Sequence, residues 1–200
     1  MKSKKMSIKS FISCNLSETK DLRTYIKNEL KENVSYFEGE YTETPYSEDD
    51  QTKAIKETIV DQIADSQVVI ILASIFMLQN DWIEWEVNYA LGNEKIRAKS
   101  NTPKGVICVI QNIYGKALNT THLSTYTDWA KHGDNWNYRR FQSIITRNVD
   151  NKKEDASMDL SKDYITFVEQ DDFVNDMEKY IKEAYEKSVN VSSYYIRKIF

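Results

Sequence analysis

Cysteine, histidine, proline and glycine are all scarce in this chain of 200 residues. It contains two cysteines, two histidines, two prolines and five glycines. No Cys-x-x-Cys or His-x-x-x-His spacing occurs, so the sequence indicates neither a disulfide framework nor a zinc site, and we expect no metal centre. A Gly-x-Gly-x-x-Gly fingerprint is also missing after the first predicted strand, which excludes a Rossmann dehydrogenase.

Long apolar runs are missing as well. No stretch approaches the roughly 18 to 20 apolar residues that a membrane-spanning helix needs. The apolar run after the basic residues 1–6 extends only from Ile8 to Ile12, and it is too short and too interrupted for the hydrophobic part of a signal peptide. We therefore expect a cytoplasmic protein without a membrane partner.

The overall charge is mildly acidic. The net charge of −4 and the pI of about 5.4 argue against a general affinity for nucleic acid. With 40% apolar residues the chain can bury a core, and we expect a single domain over residues 1–200, with its core in 1–110 and a divergent remainder in 111–200. Cys14 and Cys108 adjoin apolar runs, which predicts reduced thiols in or near that core.

Strand and helix patterns alternate in the first half of the chain. Residues 68–74 are apolar without polar alternation, which is typical of a strand covered on both faces of a parallel sheet. Ser17 or Thr19 could cap the first helix. Strands are predicted over residues 7–13, 33–37, 68–74 and 105–110, with helical spacings between them. This order predicts an α/β fold with a central parallel sheet.

The second half of the chain gives a weaker pattern. Residues 111–147 indicate irregular structure, and the polar segment 148–162 predicts a mobile loop. A last strand is expected over 163–168, followed by an amphipathic helix whose apolar face runs from Phe173 to Ala184. The apolar tail that includes Tyr194 is expected to dock on its own domain. We therefore expect an irregular C-terminal extension that ends in a helix.

A helix begins after the central strand, with Asp81 predicted to cap its first turn. Ligands of open parallel sheets bind beyond the carboxyl ends of the strands, where such a helix starts. Glu86 lies beside the buried stripe of this helix, so its carboxylate can point along a pocket wall. Alternatively, first-turn acids only complement the helix dipole. We prefer that interpretation for Glu84; for Glu86 both stay open, although the helical period alone favours the dipole role.

These residues resemble a known family. A third strand that ends in Ala-Ser, followed by a helix that opens with Trp-Ile-Glu-Trp-Glu at residues 82–86, is similar to the TIR and TIR-like domains. Phe-Ile-Ser at residues 11–13 ends the first strand in the corresponding way. The resemblance spans Ile8 to Ile110 and is greatest to the standalone bacterial TIR proteins of Thoeris antiphage systems. It implies a flavodoxin-like, three-layer fold around the parallel sheet.

The resemblance also implies an activity. TIR-like enzymes cleave NAD⁺ at the nicotinamide–ribose bond and form ADP-ribose or a cyclised isomer, which can signal to a downstream effector. The family's catalytic glutamate corresponds to Glu86, and NAD⁺ is the substrate, so no cofactor is required. The loop over residues 38–50 resembles the one that borders the pocket and meets a neighbouring protomer. The usual glycine after Pro45 is replaced by Tyr46, which affects assembly geometry more than chemistry.

Other side chains are candidates for substrate contact. Trp82 or Trp85 could stack on the pyridinium or the adenine, and for Trp85 a packing role is equally favoured. The polar residues at the strand ends could contact ribose or phosphate, although Ser13 and Cys14 taken singly are better explained as turn and cap residues. The full set of predicted substrate-binding residues is Ser13, Cys14, Asn15, Pro45, Tyr46, Ser74, Trp82 and Trp85.

Two alternatives to the enzyme stay open. One is a non-catalytic TIR-type interaction module that assembles through residues 38–50, although such a module does not need a carboxylate at Glu86. The other is a nucleoside-transferring hydrolase of similar topology, which would also use a single glutamate on ribose. A receiver domain is disfavoured, because residues 13–15 lack the clustered acids that hold Mg²⁺.

Overall fold

The computed structural model describes most of the chain. The described residues are 7–74, 77, 80–92, 102–111, 131–132, 135–136, 141–157 and 159–198. The irregular structure predicted for 111–147 falls largely outside these residues. The core over 1–110 and most of the C-terminal part can be followed in detail.

A parallel sheet forms the centre of the described part of the molecule. The strands are β1 (Ser10–Cys14), β2 (Val34–Ser35), β3 (Val68–Ala73), β4 (Gly105–Ile110), β5 (Lys131–His132), β6 (Asn135–Trp136) and β7 (Ile165–Glu169). Five of them pair in parallel in the order β2-β1-β3-β4-β7, and β5 and β6 form a separate antiparallel pair. The predicted strands are all present, with shifted ends, and the parallel α/β fold is confirmed.

Helices cover both faces of this sheet. They are α1 (Lys20–Leu30), α2 (Asp50–Asp65), α3 (Asp81–Ala90), α4 (Ser143–Thr146), α5 (Gln170–Asn175) and α6 (Met177–Val189). Buried side chains of α1, α5 and α6 form the core on one face, and those of α2, α3 and α4 form the core on the other. The predicted three-layer, flavodoxin-like arrangement is therefore confirmed.

Strand β3 explains why its sequence contains no polar residue. Val69 and Ile71 belong to the core beneath α2 and α3, whereas Val68 and Ile70 belong to the core beneath α1 and α6. All four are completely buried. A strand in the middle of a three-layer fold buries successive side chains on both faces, and each large apolar side chain contributes about 1.5 to 3 kcal/mol.

Glycine is required where α6 crosses the start of β4. A Cβ atom on Gly105 would collide with the backbone carbonyl of Ala184. Only a residue without a side chain lets the helix backbone approach so closely. Gly105 thus seats the C-terminal helix on the sheet, which brings the second half of the chain onto the core formed by the first.

The helix ends differ from the sequence prediction. Asn80, rather than Asp81, caps α3, because its Oδ1 accepts hydrogen bonds from the amides of residues 82 and 83 at 3.0 and 3.3 Å. Thr19 stands at the N-cap position of α1 without a side-chain cap bond. Its hydroxyl instead donates to the carbonyl of Asn15 at 2.8 Å. Both capping predictions are therefore wrong, because competing local hydrogen bonds decide which side chain reaches the free amides.

The single C-terminal helix expected from the apolar spacing is divided in two. Helix α5 ends before Asp176, whose φ of −144° interrupts the helical backbone. The Asp176 carboxylate then accepts a hydrogen bond from the amide of Lys179 at 3.3 Å and caps α6. The apolar period continues across the break because Phe173 and Met177 face the same core.

The polar segment 148–162 is not the mobile loop predicted from its composition. Asn148 is completely buried, and its side chain donates to the carbonyl of Arg197 at 2.8 Å and accepts from the amide of Arg197 at 2.9 Å. The side chain of Asn151 donates to the carbonyl of Tyr195 at 3.1 Å. These bonds attach the C-terminal tail to the same chain, as expected for the tail, and the prediction of mobility is wrong.

Two further expectations concern the core and the membrane. Cys14 and Cys108 are both free and buried, as predicted. Burial raises the pKa of each thiol, so both stay protonated at neutral pH. In the ranges that the structure describes, none of the helices has the length and apolar character needed to cross a bilayer.

Candidate active site

The strand order changes direction between β1 and β3. From β1 the chain proceeds outward to β2, whereas from β3 it proceeds in the opposite direction to β4 and then β7. At such a point the loops that follow the two strands separate and leave a crevice at the carboxyl edge of the sheet. Cys14 pairs with Leu72 in register, so the loop after β1 and the start of α3 lie at this edge together.

Glu86 projects from α3 into this region and is completely buried. Its Oε2 accepts a hydrogen bond from the hydroxyl of Ser13 at 2.5 Å, and its Oε1 accepts one from the hydroxyl of Tyr41 at 2.9 Å. Ser13 lies on β1, and Tyr41 lies in the loop that follows β2. Three separate parts of the chain therefore converge on one carboxylate.

The environment of Glu86 changes its acidity. Burial raises the pKa of its carboxyl group from 4.5 to about 7, although the hydrogen bonds from Ser13 and Tyr41 oppose this rise. Desolvation disfavours the charged form, whereas hydroxyl donors stabilise it. Both protonation states are consequently populated near neutral pH. A pKa displaced in this way beside a cavity is typical of functional carboxylates.

A cavity of about 490 Å³ adjoins the carboxylate. It is lined by Cys14, Asn15, Leu16, Ser17, Gly39, Glu40, Tyr41 and Asn80. Tyr41 therefore lines the cavity and also binds Glu86. Cys14, the neighbour of Ser13, lines it from β1. This volume lies within the range of small-molecule sites, and Tyr41 provides the link between the cavity and the buried acid.

The loop that contains Tyr41 is held by contacts with α2 and α3. The indole N–H of Trp82 donates to the carbonyl of Thr42 at 2.8 Å, and the hydroxyls of Thr42 and Thr52 lie 2.9 Å apart. The Tyr41 ring packs against Phe37 and Trp82, with centroid distances of 4.9 and 5.2 Å. These contacts place the Tyr41 hydroxyl within reach of Glu86.

The turn after β1 is organised by Asn15. Its Oδ1 accepts hydrogen bonds from the amide and hydroxyl of Ser17 at 3.1 and 2.8 Å. Arg23 reaches back from α1 and donates to the carbonyl of Leu16 at 3.0 Å. The turn is thus held in shape by its own side chains, and it presents Cys14 and Asn15 to the cavity.

The structure brings some of the predicted site residues together. Ser13 binds Glu86 directly, and Cys14 and Asn15 line the cavity. Ser74 follows β3 and is completely buried. Their contact with a substrate stays a prediction, because no bound molecule is present.

Other predicted residues lie further from the cavity. Trp82 and Trp85 are 3% and 5% exposed and lie in a row of aromatic rings; this is the packing alternative, and stacking on a substrate ring stays a prediction. Pro45 is buried and Tyr46 is 60% exposed. Neither is among the described residues that line the cavity.

Sequence reasoning missed Tyr41 and Asn80. Tyr41 is one of two tyrosines in the polar loop over residues 38–50, and the proline in that loop drew attention to Tyr46 instead. The isolated position of Tyr41 between polar residues was a usable signal. Asn80 was overlooked because Asp81 is the more obvious capping residue by sequence, yet Asn80 both caps α3 and lines the cavity.

Comparison with known proteins supports the resemblance. Residues 10–110, which are half of the chain, match the family model described as Thoeris protein ThsB, TIR-like domain. The matched range begins with the first residue of β1 and ends with the last residue of β4. It therefore contains Ser13, Tyr41 and Glu86. No curated protein matches the chain.

Proposed function

The chain belongs to the TIR-like domain family of the Thoeris protein ThsB, and from this premise we propose that it cleaves NAD⁺ at the nicotinamide–ribose bond. The products are nicotinamide and ADP-ribose or a cyclised isomer of ADP-ribose. Because Thoeris systems act in antiphage defence, we assign the product a role as a signal to a downstream effector. The family membership supports this assignment; the chemistry rests on the site itself.

The observation that best supports the proposal is the state of Glu86. A completely buried carboxylate whose partners in the described structure are two neutral hydroxyls is unfavourable for folding. It lies at the edge of the sheet where ligands of this fold class bind, and it shares Tyr41 with a cavity. A binding module without chemistry gains nothing from such a costly group, so the geometry favours the enzyme over the interaction module.

A single carboxylate is sufficient for this reaction. The bond between C1′ of the ribose and the pyridinium nitrogen breaks with its electron pair moving to the nitrogen, so nicotinamide leaves as a neutral molecule. Ordinary glycosidases need a second carboxyl group because an alkoxide leaving group must be protonated. Ionised Glu86 accepts hydrogen bonds from the ribose hydroxyls and stabilises the positive charge that develops on the sugar.

The surroundings of Glu86 strengthen this interaction. Ser13 donates from a central strand and fixes the orientation of the carboxylate. The low polarity of the buried site increases the attraction between a carboxylate and an oxocarbenium-like sugar. The sugar then reacts with water to give ADP-ribose, or with a nucleophile of the same molecule to give a cyclic product. Because the ionised carboxylate is the active form, we expect the rate to rise with pH through about 7.

The loop over residues 38–50 supports a second element of the proposal, which is self-assembly. Tyr46 is 60% exposed near the middle of this loop. An exposed aromatic side chain is typical of contact surfaces between proteins. We assign the loop to contact with another copy of the chain, and size-exclusion chromatography of a Tyr46→Ala variant tests this assignment.

The experiment that tests the enzyme uses purified protein and NAD⁺, alone and with extract of phage-infected cells to supply a trigger. Nicotinamide is measured by chromatography and the nucleotide product by mass spectrometry. We expect Glu86→Gln to lower the rate by at least about 100-fold, the usual loss when a transition-state stabilising group is removed. Glu84→Gln, which changes a partly exposed acid on the same helix, should leave the rate within about twofold.

Two outcomes would reject this function. A Glu86→Gln variant with the wild-type rate would show that the carboxylate is not catalytic. No nicotinamide under either condition would favour the interaction module instead. Deoxynucleosides tested beside NAD⁺ distinguish the nucleoside-transferring hydrolase, which would release a base from them at a comparable rate.

A further inference from the structure

Tyr41 occupies a position that a substrate needs. Glu86 is 0% exposed, and its two oxygens are bonded by the hydroxyls of Ser13 and Tyr41. A sugar that is to bind Glu86 must also do so through hydroxyl groups, because these are the donors that ribose offers. In the arrangement shown, the ring of Tyr41 lies between Phe37 and Trp82 at the side of the cavity, and the carboxylate is not accessible to a sugar.

The two hydroxyl donors differ in their capacity to move. Ser13 lies on β1, which is paired on both sides within the sheet, so its hydroxyl is a fixed part of the site. Tyr41 lies in a stretch without helix or strand between β2 and α2. Besides its own bond to Glu86, the neighbouring backbone is held through the carbonyl and hydroxyl of Thr42. Segments of this kind rearrange far more readily than paired strands.

We propose that Tyr41 is a placeholder for a ribose hydroxyl on Glu86, and that substrate binds when residues 38–44 carry Tyr41 away from Oε1. This inference rests on the proposed function, because it assigns a ribose to the same carboxylate. Ser13 keeps its bond to Oε2 throughout, so the carboxylate remains oriented while its other oxygen changes partner. The site shown is therefore the closed state of the enzyme.

The exchange keeps the number of hydrogen bonds on Glu86 constant. A buried carboxylate that lost a donor without replacement would incur the full cost of desolvation. The Tyr41 hydroxyl removes this cost in the closed state, and the ribose hydroxyl removes it in the bound state. The other titratable groups near the pair are Cys14 on β1 and Arg23 on α1, which act on Tyr41 through their charges. Neither of them bonds to Glu86 among the contacts described.

The first test measures opening without catalysis. Cys14 lines the cavity and is 3% exposed, whereas Cys108 is completely buried in β4, so the two thiols form a reporter and an internal reference. Iodoacetamide modification of each is followed by mass spectrometry in the wild type, Tyr41→Phe and Tyr41→Ala. We expect Cys14 to react about tenfold faster in Tyr41→Phe, the loss of one bond to a charged group, and faster still in Tyr41→Ala. Cys108 should not change.

A control and a second measurement protect this test. Tyr25→Phe changes a tyrosine on the outer side of α1 that is 40% exposed, and it should leave both thiols at their wild-type rates. Hydrogen exchange of the amides in residues 38–44 should accelerate in Tyr41→Phe, which excludes a mere change in the acidity of Cys14. Unchanged Cys14 reactivity and unchanged exchange in Tyr41→Phe would overturn the proposal. Equal acceleration at Cys108 would do the same, because it would indicate general loosening.

The second test uses the pH dependence of turnover. The profile of kcat/KM reports the free enzyme and that of kcat reports the enzyme–substrate complex. Removing the Tyr41 hydroxyl raises the pKa of Glu86 in the free enzyme only, since the substrate has already displaced it in the complex. Tyr41→Phe should therefore move the limb of kcat/KM to higher pH and leave that of kcat in place. At pH 9 its KM should fall several-fold with kcat within about twofold.

The outcomes separate this inference from the proposed function. If Tyr41 were a fixed positioning residue, both pH limbs would move and kcat would fall at pH 9, which would overturn the placeholder while keeping the enzyme. If neither NAD⁺ nor its products appear as substrate or product of any variant, the proposed function fails. The assignment of a ribose then fails with it, although faster modification of Cys14 would still establish closure by Tyr41.

Discussion

Two ionisable side chains are fully buried on opposite faces of the sheet, and their surroundings differ. Lys187 of α6 is 1% exposed; its Nζ donates to the hydroxyl of Thr166 at 2.6 Å and lies 3.2 Å from a carboxylate oxygen of Glu183. Glu86 of α3 is 0% exposed and is bonded to two neutral hydroxyls. The lysine has a counter-charge, whereas no cation bonds to the glutamate in the part of the chain that the structure describes.

The difference separates a group that serves the fold from one that serves a site. Burial lowers the pKa of Lys187, and the charge of Glu183 opposes that shift, as expected for a buried ion pair. Glu86 keeps a pKa of about 7 because its hydroxyl partners only partly offset burial. Proteins retain such uncompensated groups mainly where chemistry needs them. The comparison thus supports the choice of Glu86 as the reactive group.

The sharpest way to test this comparison is the pH dependence of stability in Glu86→Gln. The carboxyl pKa rises from 4.5 in the unfolded chain to about 7 in the folded state, so the folded state binds the proton more tightly. Stability is therefore complete below about pH 4.5 and falls as the pH rises to 7. Glutamine removes this loss. We expect the variant to gain about 3 kcal/mol in free energy of unfolding at pH 8 and little at pH 4.

Urea denaturation at the two pH values measures this effect. Glu84→Gln, on the same helix but partly exposed, should show no comparable difference between them. A Glu86→Gln variant that is less stable than the wild type at pH 8, or equally stabilised at both values, would contradict the assignment of an uncompensated buried charge.

Lys187 should respond in the opposite way. Lys187→Ala removes the buried aliphatic stem and leaves Glu183 and Thr166 without their partner, and we expect a loss of about 2 to 3 kcal/mol. Lys187→Met fills the same space without a charge and should cost less than about 1 kcal/mol. Thermal and urea unfolding measure both. Lys182→Met on the exposed side of α6 is the matched control, and equal losses for the alanine and methionine variants would show that charge, not packing, dominates.

The smallest expected effect comes from Ser13. Ser13→Ala removes one donor from ionised Glu86, so the carboxyl pKa should move above 7 and stability at pH 8 should fall by about 1 to 2 kcal/mol. Titration of the Glu86 side-chain carbon by NMR measures the pKa directly. Ser143→Ala, whose hydroxyl donates to Glu84 at 3.4 Å, should leave the titration unchanged. A midpoint that does not rise would mean that Ser13 contributes nothing to the charged form.

The sequence predicts much of this fold because its strands are buried on both faces. The uninterrupted apolar run of β3 has no other explanation in a chain of this composition, and the helical period that follows it places Glu86 at the carboxyl edge. The bond between Glu86 and Ser13 was not foreseen, although both residues were named. Their contact depends on the parallel pairing of β1 with β3, which residue patterns indicate only in outline.

The features that were missed depend on contacts between distant residues. Tyr41 lies 45 positions from Glu86 in sequence, and its loop has no period that would indicate a buried face. Asn148 appears in a polar stretch, and its partners are backbone groups of Arg197, 49 positions later. Composition predicts exposure for such segments because it treats polar side chains as solvated. It cannot register that a distant backbone replaces the water.

The row of aromatic rings beside the loop has a practical consequence for spectroscopy. The indole of Trp82 is bonded to the carbonyl of Thr42 and packs against the Tyr41 ring, so its surroundings depend directly on where the loop lies. Departure of the loop admits water to the indole, and water shifts tryptophan emission to longer wavelength. The molecule therefore contains its own fluorescent probe, and the kinetics of the loop can be recorded by stopped flow without attaching a dye.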